Sequence, residues 1–147
     1  MQQSMPALPL GTSTFETLRE SNEIYVDKTD LVYKLAATGR GKIFLARPRR
    51  FGKSLLVSTF ESLFAYGLRD FRGLAIEKRC TDKTYPVVRL DFSKLKAQTS
   101  TEAFEKVFCD YLQESFFRLG FCYDAKRTSF FVQLDAWMQS LSSNFFV

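Results

Sequence analysis

Residues 46–56, ARPRRFGKSLL, end like a phosphate-binding loop but lack the glycine with which such a loop begins. The loop pattern is G-x-x-x-x-G-K-[ST], and Gly52, Lys53 and Ser54 supply its second half. Arg47 occupies the position of the first glycine. In such a loop, glycines let backbone N–H groups surround the phosphates, the lysine contacts the β- and γ-phosphates, and the hydroxyl binds Mg²⁺. The residues with direct roles are therefore present.

The patterns on either side of this stretch predict a strand before it and a helix after it. Residues 42–46, KIFLA, are a short apolar run that precedes Pro48, which is typical of a buried strand. A helix is predicted to begin at Gly52 or Lys53 and to end before Gly67. Strand, basic loop and helix is the order that a phosphate-binding loop needs, and the alternative is a basic surface turn that happens to contain Gly-Lys-Ser. The apolar stripe of the helix comprises Leu55, Leu56, Thr59, Phe60, Leu63 and Phe64.

The rest of the chain alternates further helical and extended patterns. Such alternation predicts an α/β fold, a parallel sheet with helices on its faces. Asp27, Thr29 or Asp30 is predicted to cap the helix that begins near residue 29 and stops at Gly39. The other predicted helices are 15–20, 101–119 and 129–141, a helix or turn is expected at 69–76, and the other extended segments are 23–26 and 87–92.

Length and composition favour a single domain over residues 1–147, with 1–13 expected to be flexible. No signal peptide or membrane-length apolar run is present, so a soluble, cytoplasmic protein is expected. The three cysteines are widely spaced and histidine is absent, which indicates free thiols and excludes Cys/His metal sites and histidine-activated nucleophiles.

The net charge of +5 is concentrated near the quoted stretch. Between Asp30 and Glu61 there is no acidic residue. An anion is therefore expected there, either a nucleotide polyphosphate or a nucleic-acid backbone. The second case would make the chain a non-enzymatic nucleic-acid or partner-binding module that uses residues 34–53. The interval carries seven basic residues: Lys34, Arg40, Lys42, Arg47, Arg49, Arg50 and Lys53.

The strings RPRRFGKSLL at 47–56 and IYVDKT at 24–29 resemble the bacterial AAA-ATPase-like family, in which an arginine commonly replaces the first loop glycine. Gly11 with Phe15, and PVVRLDF at 86–92, occur in the family's order. The resemblance implies an ATP-binding domain with ATP and Mg²⁺ as cofactors. It places Tyr25 to Thr29 near the adenine, although Asp27 is equally well explained as a helix cap. It implies that Ser54 binds the metal and that the nucleotide site comprises Arg49, Arg50, Phe51, Gly52, Lys53, Ser54 and Leu55.

The family's pattern continues beyond these motifs with an acidic strand and, in many members, a C-terminal nuclease-like domain. Residues 145–147, FFV, resemble the start of that strand without its carboxylates, and Asp91 is the internal alternative as the metal-side acid. Whether the chain is an enzyme stays open, and the polypeptide is expected to bind nucleotide without efficient turnover. Expected partners are nucleotide, nucleic acid through a further C-terminal domain, no membrane, and other copies through an unpaired sheet edge.

Overall fold

The computed structural model describes residues 5–38, 42–95 and 100–141. Within these ranges the α-helices are α1 (Phe15–Glu20), α2 (Thr29–Ala37), α3 (Lys53–Tyr66), α4 (Thr101–Phe117) and α5 (Phe130–Leu141). Two short 3₁₀ helices cover Ala75–Lys78 and Phe92–Lys94. Each α-helix lies where the sequence predicts one, and the 3₁₀ helix Ala75–Lys78 overlaps the end of the segment where a helix or turn was expected.

The predicted α/β fold with a parallel sheet is wrong, because the described residues are mostly helical and contain no strand. Residues 42–46 and 87–92 adopt no strand structure. Apolar content alone does not form a strand, because a strand needs backbone hydrogen bonds to a neighbouring strand. Phe44 illustrates the error: it was assigned to a buried strand and is 93% exposed. The backbone bridge in the described residues is an isolated parallel pair, Ala7 with Glu23. Residues 145–147 lie outside the described part of the chain.

The chain divides into two compact units, Met1–Val87 and Val88–Val147. The first contains α1, α2, α3 and the 3₁₀ helix Ala75–Lys78 around one apolar cluster. In the second, α4 and α5 pack through a separate cluster. The buried members of the first cluster are Phe15, Val32, Leu63, Phe71 and Ile76. Those of the second are Leu112, Phe121, Phe130 and Leu134.

Ser58 of α3 caps the N-terminus of α1 from outside that helix. The backbone N–H of Phe15 donates to Ser58 Oγ at 2.9 Å, and that hydroxyl lies within hydrogen-bonding distance of the carbonyls of Leu55 and Ser13. Helix N-termini leave amides without intrahelical partners, and a hydroxyl oxygen satisfies one of them. Thr14, the local cap position, makes no side-chain cap bond. The contact therefore fixes α1 against the helix that carries the loop.

Gly67 ends α3 in a backbone conformation, φ 66° and ψ −137°, that favours glycine. A methyl group on Gly67 would collide with Asp82 Oδ1, which accepts the Leu68 backbone N–H at 2.8 Å. We expect Gly67→Ala to lower the free energy of unfolding by about 1–3 kcal/mol or more, measured by urea denaturation. Gly73→Ala is the matched control, since Gly73 has φ 79° but open space around it. Equal losses in the two variants would show that the Asp82 contact contributes nothing.

Candidate phosphate-binding site

The backbone turns sharply between Arg47 and α3. Gly52 has left-handed dihedrals, φ 72° and ψ 20°, and Arg50 also has a positive φ of 63°. α3 begins at Lys53, with its first hydrogen bond from Leu56 N to Gly52 O at 2.9 Å. No side chain caps this N-terminus, and the first turn contains no acidic residue. The amides of the first helical turn and the positive end of the helix dipole are therefore available to an anion.

The side chain of Lys53 closes the loop on itself. Its Nζ donates to the carbonyl oxygen of Arg47 at 2.6 Å. In return, Arg47 Nη1 makes a long contact, 3.5 Å, to the carbonyl oxygen of Phe51. The residue that replaces the first glycine thus has partners within the loop, on both its backbone and its side chain. The lysine amine must leave the carbonyl before it can contact a phosphate.

The seven predicted nucleotide-binding residues are consecutive in the sequence and span the turn and the start of α3. Arg49 to Gly52 form the turn, and Lys53, Ser54 and Leu55 form the start of α3. The first six are exposed, and the side chain of Phe51 is 62% exposed. Leu55 differs, because its side chain is partly buried and packs against the first apolar cluster. Its side chain therefore anchors the helix, and only its backbone can serve a ligand.

Five basic side chains lie in the loop or close to it in sequence. Lys42, Arg47, Arg49, Arg50 and Lys53 are all exposed. In residues 5–38, 42–95 and 100–141, no ion pair involves any of them. Unpaired cations around an uncapped helix N-terminus create a positive potential that attracts anions.

None of the three predicted caps is the N-cap of α2, which is Lys28 and makes no side-chain cap bond, but Asp27, one residue earlier, bonds the first residue of the helix. Asp27 Oδ1 accepts the backbone N–H of Thr29 at 2.8 Å and its hydroxyl at 2.7 Å, at the beginning of α2. Its second oxygen accepts Ala75 N at 2.8 Å, and Ile76 N donates to the Thr29 hydroxyl at 3.1 Å. The pair therefore joins α2 to the 3₁₀ helix Ala75–Lys78. Tyr25 packs edge-on against the Phe15 ring, and burial followed by the charge of Asp27 raises the pKa of its phenol.

These contacts make stability depend on pH through Asp27. Burial raises the pKa of Asp27, but the bonds from Thr29 and Ala75 outweigh it and lower the net pKa below the ordinary value. A carboxyl with a lowered folded-state pKa contributes stability above its unfolded pKa of about 4, and that contribution disappears as pH falls through the folded-state pKa. We expect Asp27→Asn to flatten the acid limb of the unfolding free energy.

Urea denaturation at a series of pH values from about 2 to 6 measures this limb. Asp110→Asn is the control, because Asp110 is an exposed residue of α4. Asp70, whose pKa is also lowered despite burial by its contacts with Arg69 and Ser62, remains in both variants. An Asp27→Asn limb as steep as that of the wild type would contradict the assignment.

Asp91, the sequence alternative for the metal-side acid, caps the 3₁₀ helix Phe92–Lys94. Its Oδ1 accepts Ser93 N at 3.1 Å and the Ser93 hydroxyl at 2.6 Å. Asp91 belongs to the second unit. Among the described residues, no group of three or more Cys, Asp or Glu side chains is placed to hold a metal ion. All three cysteines are free, as predicted.

Sequence reasoning missed Ser58, which links the loop-bearing helix to α1. Serine at this position interrupts no apolar stripe, and nothing local indicates that its oxygen accepts an amide 43 residues away. Ser58 and Ser62 are spaced i, i+4 on α3 and the structure buries both, but that burial cannot be inferred from the spacing alone.

Comparison with known proteins identifies the family. The family model described as Predicted AAA-ATPase matches residues 9–145. An uncharacterised protein in the vnfD 5′ region of Azotobacter chroococcum mcd 1 is 43% identical over 91 residues, which cover 60% of this chain and 17% of that protein. The chain thus spans under a fifth of that relative's length. No solved structure matches this chain. No helix in the described ranges is long and apolar enough to cross a membrane. The chain belongs to the AAA-ATPase-like family, as its loop and upstream motif indicated.

Proposed function

We propose that this chain binds the phosphates of ATP at the loop 49–54 and serves as the nucleotide-binding part of an ATPase. The observation that carries the proposal is the entry into α3: a left-handed Gly52 followed by Lys53 at the first helical position, with no capping side chain and no acid in the first turn. Family membership supports an ATPase-like domain. Backbone amides and a lysine at a helix N-terminus are the groups that phosphate-binding loops use.

Each residue of the loop has a defined part in this proposal. The amides from Arg49 onward surround the phosphates, because Pro48 has no N–H to donate. Lys53 exchanges the Arg47 carbonyl, its present acceptor at 2.6 Å, for phosphate oxygens. That exchange replaces a neutral acceptor by a charged one, which makes a stronger hydrogen bond. Arg49 and Arg50 add positive charge at the rim.

Mg²⁺ fits this site through Ser54. The Ser54 side chain is exposed in the first turn of α3, where its hydroxyl can offer one oxygen ligand. Mg²⁺ in nucleotide sites takes few protein ligands and completes its shell with phosphate oxygens and water, so one protein oxygen suffices. When bound, the ion neutralises phosphate charge and orients the β- and γ-phosphates.

Titration calorimetry of the 147-residue chain with ATP, with and without Mg²⁺, tests the proposal directly. We expect a single site whose affinity rises when Mg²⁺ is present. Ser54→Ala should remove most of the Mg²⁺ dependence while retaining binding of metal-free ATP. No heat of binding with millimolar Mg-ATP would reject the proposal.

Restoring the missing glycine is expected not to improve nucleotide binding. Arg47→Gly removes the guanidinium contact to Phe51 and adds backbone freedom, at a cost of about 0.5–1 kcal/mol. The affinity for Mg-ATP should therefore stay the same or fall by about two- to fivefold. A tighter complex in this variant would show that arginine at position 47 impairs nucleotide binding and that glycine functions better there.

A second candidate function is favoured by the unpaired cations: binding of a nucleic-acid backbone. In that case affinity would depend on the summed charge of Lys42, Arg47, Arg49 and Arg50 and would fall steeply with salt. A mononucleotide site depends instead on Lys53 and Mg²⁺. The salt dependence of binding to a single-stranded oligonucleotide, compared with that of Mg-ATP, separates the two.

We further propose that the ATP site acts in the cytoplasm and controls a nuclease-like domain in longer members of the family. The free state of Cys80, Cys109 and Cys122 supports a reducing compartment. The greater length of the Azotobacter relative leaves room for a further domain. Nuclease activity of a full-length member that changes with ATP, and no longer changes when the lysine equivalent to Lys53 is replaced, is the test.

A further inference from the structure

An apolar groove lies beside the loop in the first unit, between α2, residues 42–46 and α3. Its volume is about 310 Å³. Val57 and Ile43 in its lining are 47% and 54% exposed, so the groove is open to solvent. The residues on which the argument rests are Leu35, Ile43, Leu45, Leu56, Val57 and Phe60.

The side chains of the lining favour an apolar occupant. Each of its side chains is a hydrocarbon, so the groove offers no side-chain donor or acceptor to the polar edges of a nucleobase. Burying such edges without partners costs free energy. The volume is roughly twice the ~150 Å³ of an apolar cavity that accommodates benzene. The groove therefore suits two large apolar side chains.

The charge around the groove is mainly positive. The lining residues other than Phe64 fall within the acid-free interval between Asp30 and Glu61, and Glu61, one helical turn after Val57, is the acidic residue nearest to them in sequence on α3. Lys53 lies one helical turn before Val57, on the same face of α3, and Leu45 is two residues before Arg47. Lys34 and Lys42, which flank the lining residues in sequence, are exposed. A second copy placing this face against itself would oppose like charges, which disfavours self-association here.

We propose that this groove is a docking site for an acidic polypeptide segment that inserts two apolar side chains between α2 and α3 and places flanking carboxylates beside Lys34, Lys42 and the loop. Apolar anchors provide the affinity, and the carboxylates provide orientation and partner choice. A segment with basic flanks is rejected by the same charges. This site does not depend on nucleotide binding at the loop.

Selection from a displayed library of random peptides against the 147-residue chain tests this proposal. We expect the enriched sequences to share two large apolar residues with Asp or Glu beside them. A synthetic peptide of the enriched sequence, labelled with a fluorophore, then gives a dissociation constant by anisotropy. Exchanging its acidic residues for lysine should weaken binding by about tenfold or more.

Matched valine variants locate the site. Val57→Asp places a carboxylate in the groove and should weaken the peptide by about tenfold or more. Val132→Asp is the control, since Val132 is also a helical valine and is 57% exposed, but lies in α5. It should change affinity less than about twofold. Both variants are checked for an unchanged thermal midpoint.

Several results would overturn the proposal. These are no enrichment over an unrelated bait, enrichment of basic peptides, and equal weakening by Val57→Asp and Val132→Asp. A single-stranded oligonucleotide that displaces the peptide and loses affinity in Val57→Asp would show that the surface binds nucleic acid instead.

Discussion

Lys53→Ala is expected to weaken Mg-ATP binding by roughly 100-fold. The amine would contact two phosphates, and hydrogen bonds to charged groups contribute about 1.5–3 kcal/mol each, where about 1.4 kcal/mol is tenfold in affinity. The free energies of two hydrogen bonds made by the same amine are not fully additive. The expected loss is therefore taken from the low end of their summed range. Titration calorimetry with Mg-ATP measures the change.

Lys42→Ala is the matched control for this experiment. Lys42 is an exposed lysine of the same acid-free interval but precedes the first residue of the loop, Arg49, by seven residues. Its removal changes the net charge equally and should alter affinity by less than about threefold, the weak effect of a distant, screened charge. Equal affinities of wild type and Lys53→Ala would reject the phosphate site. Equal losses in both variants would favour the polymer-binding alternative.

Phe71→Ala is expected to give the largest loss of stability, about 3–5 kcal/mol. Phe71 is 0% exposed, and its ring centroid lies 4.7 Å from that of Phe15 at the centre of the first apolar cluster. Truncation leaves a cavity between α1, α3 and the segment that follows α3. Urea denaturation measures the change in unfolding free energy.

Phe44→Ala removes the same number of atoms from a side chain that is 93% exposed. We expect it to change the unfolding free energy by less than about 0.5 kcal/mol. A loss below 1 kcal/mol for Phe71→Ala, or comparable losses for the two variants, would contradict the arrangement of the core.

The helices could be predicted because their signals are local. In α3 the apolar residues repeat at helical spacing, and Gly67 ends the helix at a position with positive φ, which favours glycine. α4 and α5 carry the same kind of periodicity. The segment containing Phe71 and Ile76 has no such pattern, and both residues, which are fully buried, were not singled out as core.

The strand predictions failed because a strand needs a hydrogen-bonding partner elsewhere in the chain, and local sequence does not reveal whether that partner exists. Residues 42–46 have the composition of a buried strand, yet they have no strand pairing in the described residues and expose Phe44. Apolar content favours burial of a segment, but it does not specify whether a strand, a helix or another chain buries it. The same ambiguity made residues 87–92 resemble a strand.

The sequence identified the residues of the candidate site but not the geometry of the loop, and their role in phosphate binding stays a prediction. Gly52, Lys53 and Ser54 are recognisable from type and spacing alone. The positive φ of Arg50 was not predictable, because long side chains rarely adopt that region and glycine is the usual signal. Nor was the bond from Lys53 to the carbonyl of Arg47, which depends on how the loop closes.

The capping of α1 by Ser58 has a consequence for the stability of α1 within the first unit. α1 has only six residues, and isolated helices shorter than about 12–15 residues are marginal in water. Its first amide is satisfied by an oxygen of α3, 43 residues away in the chain. The N-terminus of α1 is therefore satisfied only while α3 is in place. Local unfolding of the loop-bearing helix would release this amide, so the stability of α1 is coupled to that of α3.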